Sequence, residues 1–155
     1  MRLEPRAIAM LLLVPAVSCG GPGGPELVVD RTACGHCGML ISEPAYAAAF
    51  ALPDEQARVF DDVACLLAAL EAAAADGAPT EAAAVWVHAY EEERWLAAAG
   101  AAFVRSASFR TPMGGGVVAL SGLDAARRLA ERVEGEVIED FGLLTTVVAR
   151  SGGRG

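Results

Sequence analysis

Two segments of this chain read as the same unit. "RVFDDVACLLAAL" (58–70) and "VALSGLDAARRLAERV" (118–133) each run from a short apolar strand through polar capping residues into an amphipathic helix. In the first, Asp61 or Asp62 supplies the cap, and Val63, Leu66, Leu67 and Leu70 share one face. Gly77 and Pro79 then stop the helix. In the second, Ser121 is the cap, Leu123, Ala126, Leu129, Ala130 and Val133 form the buried side, and Gly135 is the stop. A glycine-flanked loop with one methionine precedes each unit, Met39 in one case and Met113 in the other. The repetition predicts two small ββα-type halves packed together, an α+β fold.

The remaining strands fit around these units. "AYAAAFAL" (45–52) and "RVF" (58–60) predict a hairpin across the turn "PDEQ". "AAVWVHAY" (83–90), "AAFVRS" (101–106) and "VVAL" (117–120) read as further strands, and "EVIED" as a last one. "EEERW" reads as a polar turn. Helices are predicted over 62–75 and 123–133. With 155 residues, one domain is expected.

The termini read differently from this body. Residues 1–18 open with Arg2 and Arg6, run apolar from Ala7 to Val14, and end in small residues, the layout of an export signal. "AVSC" resembles a bacterial lipobox, which marks Cys19 for lipidation. Residues 19–27 are rich in Gly and Pro and read as a flexible tether. The folded domain is expected over 28–140 and a C-terminal tail over 141–155. This layout predicts an extracytoplasmic lipoprotein, anchored on the periplasmic side of the inner or outer membrane. The chain carries −8; residues 1–18 contribute +1 (Arg2, Arg6 and Glu4), which leaves −9 on the remainder. That balance excludes a nucleic-acid binder, which needs clustered cations.

The chemistry concentrates in "ACGHCGMLISEP" (33–44). Cys34 and Cys37 form a Cys-x-x-Cys pair, the signature of a thiol-disulfide oxidoreductase. Such a dithiol needs a helix N-terminus to lower the thiol pKa. Gly38 and Pro44 leave no room for one. A structural Cys34–Cys37 disulfide in an oxidising compartment is the second reading. Structural zinc is the third. It wants four ligands, and Cys65 and His88 read as packing residues of a helix and a strand. Soft-metal binding is the fourth. Thiolate and thioether sulfur select Cu(I), and Cys37 and Met39 stand two apart in a glycine-containing loop. Met113, between Pro112 and three glycines, sits in a poor environment for a core side chain.

"CGHCGMLI", "VFDDVACLLAAL", "WVHAYEEERWLAAAGAAFV" and "TPMGGGVVAL", in that order, resemble the NosL family of nitrous oxide reductase accessory lipoproteins. The resemblance covers Cys34 to Leu120. It implies a fold of two ββαβ-like halves, also seen in the organomercurial lyase MerB, and a Cu(I)-binding metallochaperone, not an enzyme. It implies Cys37, Met39 and Met113 as copper ligands, Cys34 as an upstream cysteine and His36 as an adjacent nitrogen donor. The partners it implies are a copper-receiving enzyme, nitrous oxide reductase, and its ABC-type maturation complex.

Overall fold

The computed structural model describes residues 23–152. The expected export signal and the expected lipidation position, Cys19, lie outside the described residues. The first half is a four-stranded antiparallel sheet in the order β2-β1-β3-β4, built from β1 (Ala48–Ala51), β2 (Arg58–Phe60), β3 (Ala84–His88) and β4 (Trp95–Ala97). Helix α1 (Val63–Ala75) connects β2 to β3. The second half is a three-stranded antiparallel sheet in the order β6-β5-β7, from β5 (Ala102–Arg105), β6 (Val117–Leu120) and β7 (Glu136–Ile138). Helix α2 (Leu123–Val133) connects β6 to β7. Both halves therefore trace hairpin, helix, and a strand returning beside the first strand of the hairpin. The repeat in the sequence is a repeat of topology.

The halves meet where β3 ends. Ala89 bridges Ala119 in parallel, and the Tyr90 amide donates to the Ala119 carbonyl at 2.9 Å. Tyr90 then lies across the joint, 5.8 Å from Tyr46 and 5.2 Å from Phe109 between ring centroids. The larger core gathers Phe50, Phe60, Leu66, Val87 and Phe103, with Phe50 stacked on Phe60 at 5.4 Å. A smaller core lies under α2 around Val104, Leu120 and Leu129. Each large apolar side chain buried in this way contributes about 1.5–3 kcal/mol. Two of the three fully buried residues of β1, Ala48 and Ala49, are alanines. Strand formation there rests on pairing to two neighbours rather than on β-propensity.

Several local expectations are corrected. Ser121 does not cap α2. Gly122 occupies the N-cap position, with no side-chain cap bond. The helix ends at Glu134, which takes the left-handed conformation (φ 50°) expected of a glycine. Gly135 answers a different need: a Cβ there would lie 2.7 Å from Val104 Cγ1 and 3.0 Å from the Arg105 carbonyl oxygen. "EEERW" turns the chain, but Trp95 already begins β4, whose pairing with β3 its acidic approach hid. The expected tail is helical over 141–152. Phe141–Gly152 form helix α3, and Leu144 is fully buried in the larger core. The two methionine loops are not equivalent in the repeat either. Met113 lies in the hairpin loop between β5 and β6, whereas Met39 precedes β1. Among the described residues, no helix is long and apolar enough to cross a membrane.

Candidate metal centre

The site is organised by two adjacent carboxylates at the junction of β2 and α1. Asp62 is the N-cap of α1, in extended conformation, and its Oδ1 accepts the Cys65 amide at 3.0 Å. A cap of this kind stabilises a helix by about 1 kcal/mol. Its other oxygen, Oδ2, accepts the amide of Met113 at 2.8 Å. Asp61 faces the cysteine loop instead. Its Oδ1 accepts from Cys34 Sγ at 3.4 Å and its Oδ2 from Cys37 Sγ at 3.3 Å. Both aspartates are buried, at 2% and 1% exposure, so all four oxygens are committed to donors rather than to water.

The cysteine loop is a tight turn laid on β2. The Cys34 amide donates to the Met39 carbonyl at 2.7 Å, and the Gly38 amide returns to the Cys34 carbonyl at 3.0 Å. Gly38 takes φ 76°, a conformation that costs glycine nothing. The Gly35 amide donates to the Val59 carbonyl at 2.8 Å, and the Arg58 guanidinium donates to the Gly35 carbonyl at 2.8 Å. Arg58 itself lies over the rings of Phe50 and Phe60. The turn is thereby anchored to a core strand, with Cys34 buried inside and Cys37, Gly38 and Met39 outside.

The methionine loop reaches the same junction from the other half. Gly114 and Gly116 take φ 71° and 62°, and the Thr111 hydroxyl accepts the Gly116 amide at 3.1 Å. A Cβ on Gly116 would lie 2.6 Å from the Ser106 carbonyl oxygen. Gly116→Ala combines that clash with a left-handed backbone and is expected to destabilise the fold by about 2–4 kcal/mol. A urea titration of the variant tests this, and an unchanged midpoint would contradict it.

The family resemblance implies that Cys37, Met39 and Met113 share one site across a long gap in sequence. The structure brings Cys37 to Asp61 and the Met113 backbone to Asp62, and leaves Met39 and Met113 exposed at 52% and 47%. Cys34 is buried directly behind Cys37. His36 is exposed in the turn and stands outside the cluster of ionisable side chains. His88 is also elsewhere, buried edge-on against Trp95 at 5.3 Å. Two members were missed. Cys65, read as a core residue, is buried, but its sulfur joins Cys34, Cys37 and Asp61 in a group whose ligand atoms lie within 4.8 Å of one another. In the sequence Asp61 reads only as an alternative cap. The signal available was the doubled aspartate, since one carboxylate suffices to cap a helix.

No helix begins at the Cys-x-x-Cys pair, so no helix dipole acts on its thiols. Cys37 is exposed as a residue, yet its sulfur is turned toward Asp61. Desolvation of that sulfur raises the thiol pKa, with Cys34 and Asp61 adding to the rise and the Met39 backbone opposing it. Burial pushes Cys65 far higher, reinforced by Asp61 and Cys34. Cys34, Cys37 and Cys65 are all free thiols. This is a poor constellation for a nucleophilic dithiol at neutral pH, and a good reserve of sulfur ligands once a metal displaces the protons.

No curated protein matches the chain. Its fold is similar to the crystal structure of the copper chaperone NosL from Shewanella denitrificans, at a TM-score of 0.61 and 20% identity, covering 77% of this chain and 94% of that one. At that identity the likeness establishes the fold. The family model of NosL matches residues 25–145, which takes in both halves, the Asp61–Asp62 junction and the start of α3. The chain belongs to the NosL family.

Proposed function

We propose that this protein is a Cu(I) carrier, not an enzyme, with Cys37, Met39 and Met113 as the ligands that take up and release the ion. The observation that carries this reading is the joint anchoring of two distant loops. One pair of neighbouring aspartates holds the Cys37 thiol and the Met113 backbone, with 75 residues of sequence between them, while both thioethers stay at the surface. One thiolate and two neutral sulfurs suit Cu(I), which favours soft ligands. An ion so held is open on the solvent side, where an incoming sulfur or nitrogen of a recipient can bind before the last local ligand leaves. A similarly folded protein is a copper chaperone, which supports the same cargo.

The recipient in this reading is an extracytoplasmic copper enzyme, nitrous oxide reductase, reached through its ABC-type maturation complex. The chain works from a membrane, tethered by lipid on Cys19 after removal of residues 1–18, with Gly- and Pro-rich residues following the anchor. Mass spectrometry of membrane-extracted protein tests the anchor, and intact residues 1–18 would sink it. The ligand set is tested by anaerobic Cu(I) titration against a competing chelator. Met113→Leu keeps size and apolarity, so stability should change by less than about 1.5 kcal/mol. Cu(I) affinity should fall by about 10-fold or more, the scale on which even groups outside the ligand shell act on metal sites. Unchanged affinity would remove Met113 from the site.

A further inference from the structure

The loop that carries Met113 also walls a surface cavity of about 780 Å³, whose lining includes Arg105, Ser106, Arg110, Thr111, Met113 and Gly116. No carboxylate is among the described residues that line it, although the whole chain carries −8. Arg110 is exposed and has no ion-pair partner among the described residues. Arg105 is paired with Glu136 at 2.6 Å, so its charge is partly offset. We propose that this cavity docks an acidic segment of the protein that exchanges copper with this chain. A carboxylate of that segment sits on Arg110, and its metal-binding residue meets the ion at Met113. The proposal deepens the Cu(I) reading and rests on it for the role of Met113.

The cavity is a built feature of the fold. The Ser106 amide donates to the Gly116 carbonyl at 2.9 Å, and the Ser106 hydroxyl donates to the Val133 carbonyl at 2.8 Å. Phe109 and Thr111, on either side of Arg110, are buried, and the Phe109 ring packs edge-on against Tyr90. The Arg110 backbone is thereby pinned between two fixed neighbours while the residue itself stays exposed. Arg110 and Met113 are three residues apart, so their Cα atoms lie within about 11 Å of one another. A partner carboxylate on Arg110 therefore belongs within a few residues of the sulfur or imidazole that takes the ion.

Charge explains why one local cation matters. A chain this acidic repels an acidic partner, and at physiological salt that repulsion acts over about 8 Å. Arg110 reverses the sign of the surface at one edge of the copper site. Complementarity of this kind governs encounter and register more than raw affinity. A guanidinium also holds a carboxylate through two parallel N–H bonds, which fixes its orientation. An anionic membrane surface offers the same charge but no soft ligand for an ion at Met113, so the site favours a protein.

The test uses the full chain, metal-free and reduced, titrated at low salt into two fluorescein-labelled peptides. Both contain one methionine, flanked by glutamates in one and by glutamines in the other. The glutamate peptide should bind about 5-fold more tightly, the scale of one exposed ion pair. Arg110→Gln should erase that preference and Arg110→Lys should keep most of it. Arg128→Gln makes the same change of net charge on α2, outside the cavity, and should leave the preference intact. A glutamate peptide that binds no better than its glutamine counterpart would overturn the docking site. So would equal losses in Arg110→Gln and Arg128→Gln, which would reduce the effect to net charge. Flotation with phosphatidylglycerol vesicles that depends on Arg110, with no peptide preference, would assign the cation to a membrane and also overturn it. Failure of the Cu(I) reading shows elsewhere, as unchanged Cu(I) affinity in Met113→Leu, and does not alter the metal-free peptide result.

Discussion

Cys37→Ser is expected to lower Cu(I) affinity by more than about 100-fold, beyond the 10–100-fold typical of groups that only orient a ligand. The reason is that Cys37 offers the single anionic sulfur at the surface of the site. Met39 and Met113 are neutral, and Cys34 and Cys65 are buried behind it. Serine is nearly isosteric, and its hydroxyl can donate to Asp61 as the thiol does, so the turn over β2 should persist. Circular dichroism and thermal melting should therefore match the parent, which separates loss of a ligand from loss of fold. A thiol-disulfide enzyme would show a different pattern: Cys37→Ser would abolish turnover of a disulfide substrate, and Met113→Leu would change nothing. Parental Cu(I) affinity in Cys37→Ser would refute the carrier reading at its centre.

Much of the fold was legible because its signals are local. Strand and helix recur in order, and that order is the topology of each half. What stayed hidden depends on partners distant in sequence. The β4 strand is three residues long and follows a run of glutamates, so only its pairing with β3 reveals it. Helix α3 owes its place to Leu144 entering a core built far upstream. Gly135 resembles a helix stop in sequence but is there because β5 passes too close for a Cβ. In the site, the copper-facing residues were legible because loop methionines flanked by glycine are poor core material. Cys65 was not, because an apolar neighbourhood predicts burial correctly and says nothing of which way the sulfur faces. Burial and participation in the site are both true of it.

The second large effect concerns Asp62, where stability and copper binding should separate according to the substitution. Asp62→Ala removes the N-cap of α1, worth about 1 kcal/mol. It also leaves the Met113 amide without its charged acceptor, and a hydrogen bond to a charged group is worth about 1.5–3 kcal/mol. Because Asp62 is 1% exposed, little water reaches the orphaned donors. A combined loss of about 3–4 kcal/mol is expected in chemical denaturation, a large part of the stability of a domain this size. Asp62→Asn should behave otherwise. Asparagine caps helices about as well as aspartate, so its one carbonyl oxygen can keep the Cys65 amide. Its amide nitrogen then faces the Met113 amide, donor against donor, and the methionine loop is released. The expected result is a small change in denaturation midpoint, below that of Asp62→Ala, accompanied by a fall in Cu(I) affinity approaching that of Met113→Leu. If Asp62→Asn keeps parental Cu(I) affinity, the carboxylate is only a helix cap. The meeting of the two loops would then have to be maintained by contacts such as Gly115 against Ala64, where a Cβ would already stand 3.4 Å from its neighbour.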